Sequence, residues 1–342
     1  MIQVSRQMLA SILKAKQLYH PSKCTCKKNF FNISRQFSGT AQVKLNMCSL
    51  KSRSLVELKG RDTTDLLQGL ITSDVTLLND KKLSQYSMML NVQGRVLYDL
   101  LLYYIPSETC DENTLPSTVW IECDSQIKDE LIQTIKKYKI RKKVTISDIS
   151  KDFNIYTSQS LPAVPNTNIR LATVDPRIPE LGYRVLVTSD YSTDDSINIE
   201  DEVKYRELRY RLGIGEGIVD IPPGNSFPLE SNLVFLKGVS FDKGCYIGQE
   251  LTARTYHTGV TRKRLMPLVF HSDKVDIEAG MNITSEKGKS VGKFRNSVNQ
   301  YGLGLMRVAE AKGELTVVDK NGQKLVCTTD VPSWWPSENH DL

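Results

Sequence analysis

The chain has 342 residues, of which 40% are hydrophobic and 25% are charged, and its formal net charge is +6. This composition is typical of a folded globular protein and excludes collagen-like, disordered and disulfide-scaffold chains. The length predicts two or three packed units, and no apolar run reaches the roughly 18 residues that membrane insertion as a helix requires.

The positive charge is concentrated in the first forty residues. They carry seven basic side chains, and no acidic residue occurs before Glu57. A basic, acid-free and amphipathic segment is typical of an organellar presequence, and Arg35-Gln36-Phe37-Ser38 resembles the cleavage context of mitochondrial matrix proteins. We therefore predict a presequence over residues 1–37, a matrix location and no nucleic-acid partner. A basic arm that stays attached is the alternative.

Locally paired strands follow this segment. Alternating residues predict strands at 54–60 and 119–123, and apolar runs predict strands at 85–90 and 96–104. Helices are predicted after Asp62 and over 125–137. The turn at 91–94 predicts a hairpin, because Asn and Gly tolerate positive φ. This organisation is α+β rather than Rossmann-like, and we assign residues 45–160 to a first α+β lobe.

A polar, proline-containing stretch at 158–173 is the predicted joint between two lobes of similar size. Beyond it, a strand at 183–187 and a helix at 198–212 predict a second α+β lobe over residues 166–262. Short strands separated by turns then predict a small C-terminal β-barrel over residues 263–336. The predicted barrel strands are 265–270, 281–285, 290–295, 301–308 and 314–318.

The seven cysteines are too few and too irregularly spaced for a disulfide framework or a zinc site. Cys123 and Cys327 lie in alternating segments and are predicted to point inward from strands. The sequence has no Walker A, HExxH or GxSxG motif, and the Gly213-x-Gly215-x-Gly217 segment follows a helix, so we interpret it as a turn.

The most informative segment is FDKGCYIGQELTAR, residues 241–254, in which two glycines closely flank Cys245. Glycines allow a ligand or partner to approach the backbone. Lys243 and Arg254 are positive charges that favour a thiolate, and a helix beginning at Gln249 adds its N-terminal dipole. On local residues alone, a buried cysteine between two turns is an equally good interpretation.

The octapeptide within this segment resembles the signature of the YgfZ branch of the YgfZ/GcvT family. It reads Lys243-Gly244-Cys245-Tyr246-Ile247-Gly248-Gln249-Glu250 and continues through Thr252-Ala253-Arg254. Further matches at 67–74, 90–95, 175–177 and 227–233 extend the resemblance over most of the chain. It implies a three-lobed, aminomethyltransferase-like α+β fold with a folate-sized central cavity. Together with the basic leader, it implies a mitochondrial iron–sulfur cluster assembly factor.

The resemblance also implies that Cys245 is a cluster ligand. Iron–sulfur clusters are normally held by four ligands, mostly thiolates, so one cysteine predicts a transient cluster shared with a partner. The implied partner is an A-type iron–sulfur scaffold protein, and the implied clients are 4Fe–4S enzymes. His257 could be an extra ligand, but a structural role is the commoner outcome for such a histidine.

Folate-dependent aminomethyl transfer is the alternative function that the resemblance implies. Enzymes of that kind carry an acid pair in the first hairpin, whereas this chain keeps only Asp99, which could face the cavity or meet Arg95 or solvent. Glu230 and Arg209 fall on family positions that line the folate pocket, and a buried Glu can accept two donors of a pterin edge. We expect tetrahydrofolate binding without turnover. A plain protein-binding module is the third hypothesis.

Overall fold

The computed structural model describes residues 45–106, 117–161, 168–191 and 197–336. The predicted presequence, together with Cys24, Cys26 and Cys110, lies outside these residues. Within the described ranges, no helix is both long enough and apolar enough to cross a membrane.

Ten strands form two five-stranded sheets. They are β1 (Leu45–Ser49), β2 (Arg53–Lys59), β3 (Ser84–Leu90), β4 (Val96–Tyr104), β5 (Thr118–Asp124), β6 (Thr145–Asp148), β7 (Phe153–Ser158), β8 (Ile169–Val174), β9 (Tyr183–Thr188) and β10 (Ile197–Glu200). The first sheet has the strand order β3-β4-β5-β2-β6, and the second has the order β10-β1-β7-β9-β8. The predicted hairpin is confirmed, since β3 and β4 pair antiparallel and Gly94 turns with a φ of +75°.

Five α-helices accompany the sheets in the described part of the chain. They are α1 (Thr63–Gln68), α2 (Lys128–Lys139), α3 (Glu202–Arg211), α4 (Gly217–Asp220) and α5 (Gln249–Thr258). The helix predicted over 198–212 begins later than expected. Asp201 caps α3 by accepting a hydrogen bond from the amide of Val203, and the residues before it pair with β1 as the parallel strand β10.

The C-terminal strands close into a barrel, as predicted. They are β11 (Lys263–Phe270), β12 (Asn282–Ser285), β13 (Ser290–Val298), β14 (Tyr301–Arg307), β15 (Leu315–Val318) and β16 (Lys324–Thr328). Their order around the barrel is β11-β14-β13-β12-β15-β16. The barrel closes through β16, which pairs with β11. The sequence analysis indicated this strand only by predicting that Cys327 points inward from a strand.

The two sheets do not follow one another along the chain. β1 and β7 precede the predicted joint at 158–173, yet both belong to the second sheet, where β7 pairs with β9. The two sheets therefore do not coincide with the predicted lobes over residues 45–160 and 166–262, because the second sheet takes strands from both. β1 is a short strand that pairs with β10, about 150 residues away along the chain. Local periodicity carries no information about such a distant pairing.

One hydrophobic core is shared by both sheets. It contains Leu55 and Leu101 from the first sheet and Ile155 and Leu186 from the second, each 4% exposed or less. Burial of a leucine or isoleucine side chain contributes about 1.5–3 kcal/mol each. The facing surfaces of the two sheets are therefore fixed to each other by apolar packing.

Charged side chains are buried alongside this core. Four arginines and five carboxylates form a network in which each residue is less than a tenth exposed: Arg53, Arg177, Arg184, Arg209, Asp99, Glu122, Asp175, Glu216 and Asp220. Arg184 on β9 lies 2.6 Å from Glu216 and 3.4 Å from Glu122 on β5. The network therefore connects the second sheet to the first.

Glu216 is the carboxylate with the most partners in this network. It accepts hydrogen bonds from Arg184 (2.6 Å) and Tyr205 (2.8 Å), and Arg177 lies 2.8 Å away. Burial opposes ionisation of Glu216, but the guanidinium groups of Arg184 and Arg177 outweigh it and hold the Glu216 pKa well below its usual value. The charge is thus stable in the interior because its neighbours are positive.

Removing Arg184 should leave the buried carboxylates of Glu216 and Glu122 with fewer positive partners. We predict that Arg184→Leu lowers the free energy of unfolding by about 3–5 kcal/mol, the usual cost of breaking a buried ion pair. The matched control is Arg211→Leu, because Arg211 is exposed on α3, and its effect should stay below about 1 kcal/mol. Urea denaturation measures both. Equal losses in the two variants would show that the network is not what joins the sheets.

Candidate functional site

The predicted motif forms a loop that is anchored on the first sheet and its connections. The amide of Ile247 donates to the carbonyl of Gly69 at 3.1 Å. The ammonium of Lys243 donates to the carbonyls of Ile71 and Ser73, each at 2.8 Å. These bonds fix both ends of the segment that contains Cys245.

Lys243 has a structural role that the sequence did not indicate, and its predicted effect on the Cys245 thiol stays a prediction. Its Nζ is directed at two backbone carbonyls and lies 5.2 Å from the ring centroid of Tyr246, which is buried. Burial lowers the pKa of Lys243 to about 8, although the carboxylate of Asp74 opposes this change. Lys243 thus holds the loop in place through its hydrogen bonds.

Gly248 brings the loop into close contact with the hairpin of the first sheet. It has a φ of +78°, in the left-handed region that favours glycine, and directly precedes α5. A Cβ added at Gly248 would lie 2.3 Å from the carbonyl oxygen of Asn91. The loop is closed by the Gln249 side chain, whose Oε1 accepts a hydrogen bond from the amide of Tyr246 at 3.1 Å.

Cys245 is exposed, whereas the other three cysteines of the described residues are buried. Cys123 and Cys327 point inward from strands, as predicted, and burial raises the pKa of each thiol to about 12. Burial, with help from Glu200, raises the pKa of Cys48 to about 11. Because thiolates are the reactive and metal-binding form, these raised pKa values disfavour reaction or metal binding by the three buried thiols at neutral pH.

Arg254, Tyr256 and His257 are exposed side chains of α5. Arg254 forms only a loose ion pair with Glu250, at 3.9 Å, and both side chains are largely exposed. Tyr256 stacks on Phe241 with ring centroids 3.9 Å apart, and His257 packs edge-on against both rings. Sequence reasoning missed this aromatic cluster, because Phe241 and Tyr256 come from different elements and have no common periodicity.

The described side chains contain no group of three or more His, Cys, Asp or Glu residues that could hold a metal ion. His257 contacts the rings of Phe241 and Tyr256, and its structural role stays a prediction. Among the residues described, Cys245 is therefore the one exposed cysteine thiol, and it lies on an anchored loop.

A cleft of about 410 Å³ lies beside α5. Its lining combines apolar, hydroxyl and cationic side chains with one carboxylate: Phe227, Pro228, Leu229, Glu230, Leu251, Thr252, Thr255, Val260, Thr261, Arg262, Lys263 and Arg307. The volume falls at the lower end of the range for small-molecule sites. Glu230 is half-buried, and burial raises its pKa although Lys263 and Arg295 oppose the shift.

The three residues predicted to contact folate do not line one cavity. Glu230 lines the cleft, but Arg209 donates to Asp220 at 2.8 Å and to the carbonyl of Ile214 at 3.0 Å inside the buried network. Asp99 is also buried there. A folate site that uses all three side chains therefore does not fit this arrangement, because the two buried charges are held by internal partners.

Asp99 meets neither the cavity nor Arg95. One carboxylate oxygen accepts from the amide of Gly217 at 3.0 Å, and the other lies 3.7 Å from Arg53. Burial raises the Asp99 pKa, with Arg53 opposing the shift. The guanidinium of Arg95 instead stacks over the ring of Phe227, 3.6 Å from its centroid.

Comparison with known proteins gives both a fold and relatives. Residues 262–337 match the family model of the CAF17 C-terminal β-barrel domain. The crystal structure of the glycine cleavage system aminomethyltransferase T from Bartonella henselae has a TM-score of 0.66 over 85% of this chain and 86% of that chain. Its sequence identity is 13%, so the likeness shows the fold alone, and it confirms the predicted aminomethyltransferase-like architecture.

The similar sequences are more specific. The mitochondrial iron–sulfur cluster assembly factor IBA57 of Mus musculus is 39% identical over 310 residues, which cover 84% of this chain and 85% of that protein. The protein of the same name from Homo sapiens is 35% identical over 309 residues with the same coverage. The homologue from Mycosarcoma maydis, also named mitochondrial, is 31% identical.

The two glycines that flank Cys245 should differ sharply in their tolerance of a side chain. We predict that Gly248→Ala lowers the free energy of unfolding by about 1–3 kcal/mol, because it combines a positive φ with a backbone clash. Gly244→Ala should change it by less than about 0.5 kcal/mol, since a Cβ there meets nothing within 4 Å. Urea denaturation gives both values. A Gly248→Ala protein as stable as Gly244→Ala would contradict the close contact with the hairpin.

Proposed function

Because the chain belongs to the family of the mitochondrial iron–sulfur cluster assembly factor IBA57, we propose that it assists the maturation of 4Fe–4S proteins in the mitochondrial matrix. In this role Cys245 is one ligand of a cluster that the chain shares with an A-type scaffold partner. The observation that carries the proposal is the exposed thiol of Cys245, the single exposed thiol among the residues that the structure describes, on a loop held by Lys243 and Gly248.

The ligand count supports a shared cluster. An iron–sulfur cluster normally takes four protein ligands, and the described residues around Cys245 supply no further convergent His, Cys, Asp or Glu. The remaining ligands must then come from a partner or a small thiol. A cluster that this chain holds through one bond can leave when a client protein supplies a complete set of ligands. Such weak ligation favours transfer of the cluster over its storage.

The anchoring of the loop supports ligation by Cys245 in a second way. Hydrogen bonds from Lys243 and Ile247 tie the loop to the chain segment at 69–73. The thiol is therefore held in position before a partner arrives, and less conformational entropy is lost on binding. Gly244 leaves open space beside the thiol, since a Cβ added there would have no atom within 4 Å, and a bulky cluster can approach there.

Folate-dependent aminomethyl transfer stays the second candidate. It is favoured by one observation, the half-buried Glu230 in a cleft with apolar walls. Asp99 is the one acid of the aminomethyltransferase hairpin that this chain keeps. It is buried against Arg53 and Gly217. Tetrahydrofolate binding in the cleft therefore stays a prediction that depends on Glu230, and we expect no turnover.

The direct test mixes the purified protein with a cluster-loaded A-type scaffold protein. We predict that Cys245→Ser abolishes the cluster-dependent complex, because a hydroxyl does not replace the thiolate, while the free energy of unfolding changes by less than about 0.5 kcal/mol for this exposed position. Absorbance of the cluster and size-exclusion chromatography report the complex.

Cys327→Ala is the matched control, because Cys327 is buried in the barrel and should leave the complex intact. In cells, 4Fe–4S enzyme activity should fall with Cys245→Ser at equal protein abundance. Normal maturation in those cells would show that the Cys245 thiol is not the functional group.

A further inference from the structure

The cleft beside α5 presents more positive than negative charge. Arg262 and Arg307 are exposed and Lys263 is half-buried, and none of the three forms an ion pair with the described residues. Arg95 adds a further cation, because it stacks over Phe227 in the cleft wall. The one carboxylate in the lining is Glu230, so the cleft is positive overall.

The walls between these charges are apolar. Phe227, Pro228 and Leu229 line the cleft together with Leu251 from α5 and with Val260, which is 71% exposed. A large exposed apolar side chain beside unpaired cations is typical of a surface that binds a partner with both acidic and apolar groups.

The cleft adjoins the loop that carries Cys245. Leu251, Thr252 and Thr255 of α5 line the cleft, and the loop leads directly into this helix at Gln249. At a rise of 1.5 Å per residue, Gln249 and Thr255 are about 9 Å apart along the helix axis. A protein that contacts Cys245 therefore comes within reach of the cleft.

We propose that the cleft receives an acidic, partly apolar segment of the partner protein that shares the cluster with Cys245. This inference rests on the proposed function and adds the chemistry of the partner. Carboxylates of the segment pair with Arg262, Lys263 and Arg307, and its apolar side chains pack on Phe227, Leu251 and Val260. Charge complementarity of this kind accelerates association and fixes the register of a complex, which would deliver the partner's ligands to the exposed thiol.

A change at Glu230 distinguishes binding of an acidic segment in the cleft from binding of a folate. A pterin edge presents hydrogen-bond donors, which a Glu230 carboxylate accepts, whereas an acidic segment presents carboxylates, which Glu230 repels. Glu230→Gln should therefore strengthen binding of an acidic segment and weaken binding of tetrahydrofolate. Because the affinities for the two ligands should change in opposite directions, Glu230→Gln shows which of them the cleft binds.

The test uses a fluorescein-labelled six-residue peptide of alternating Glu and Leu, with fluorescence anisotropy at low and at physiological salt. We expect saturable binding at low salt that the triple variant Arg262→Gln/Lys263→Gln/Arg307→Gln weakens at least about tenfold. The control Lys136→Gln/Lys137→Gln/Arg141→Gln removes the same charge from exposed positions on and after α2 that do not line the cleft, and should change the affinity less than about twofold.

Three outcomes overturn the inference: no saturable peptide binding to the unaltered protein at low salt, equal losses in the two triple variants, or weaker peptide binding in Glu230→Gln. If tetrahydrofolate binds and Glu230→Gln weakens that binding while the peptide does not bind, the cleft is a small-molecule site instead.

A parallel measurement keeps the inference distinct from the proposed function. The association rate with an apo A-type scaffold should fall in the cleft triple variant and persist in Cys245→Ser, whereas cluster absorbance should be lost in Cys245→Ser. If the cluster depends on Cys245 but association is unaffected by the cleft variant, the docking inference fails and the proposed function stands. If the peptide binds as expected but Cys245→Ser holds the cluster, the proposed function fails.

Discussion

The ion pair between Arg184 on β9 and Glu122 on β5 is the interaction on which the arrangement of the two sheets depends. Each buried charge needs opposite charges around it, so β9 and β5 cannot shift independently. The same network fixes β4 through Asp99, which accepts a hydrogen bond from the amide of Gly217. β4 continues from the hairpin whose tip contacts Gly248, so the network is connected to the motif loop through this hairpin.

This network also decides which residues remain available for binding. Asp99 and Arg209 fall on predicted folate positions, but both are buried among internal partners. Asp99 accepts from the amide of Gly217 and lies 3.7 Å from Arg53, and Arg209 donates to Asp220. Glu230 lies outside the network and is left in a cleft with cations and apolar walls. The fold of an aminomethyltransferase thus presents two separate surfaces near α5, namely a loop with one exposed thiol and a positively charged cleft. Their proximity suits a protein partner better than an enclosed small substrate.

The sequence predicted local features well and long-range ones poorly. Local patterns placed the strands around Leu101, Cys123 and Cys327 correctly. The strand around Leu101 is a nearly continuous apolar run that is buried on both faces, whereas burial alternates along the strand around Cys327. It could not pair β1 with β10, nor identify the ion network, because buried arginines and carboxylates look like solvated charges in a sequence. The octapeptide pointed to Cys245, but its charge pattern suggested that Lys243 acts on the thiol. Only the structure shows its ammonium bound to two carbonyls.

Cys245 should be free and accessible in the protein alone and become a cluster ligand in the complex. Alkylation with iodoacetamide, read by mass spectrometry of cysteine peptides, tests this directly. Peptides containing Cys48, Cys123 and Cys327 serve as internal references, because these thiols are buried in the free protein. We predict that Cys245 is modified first in the free protein, is protected in the cluster-containing complex with an A-type scaffold, and is modified again after an iron chelator removes the cluster. Undiminished modification of Cys245 in the complex while the cluster stays bound would contradict its role as a ligand.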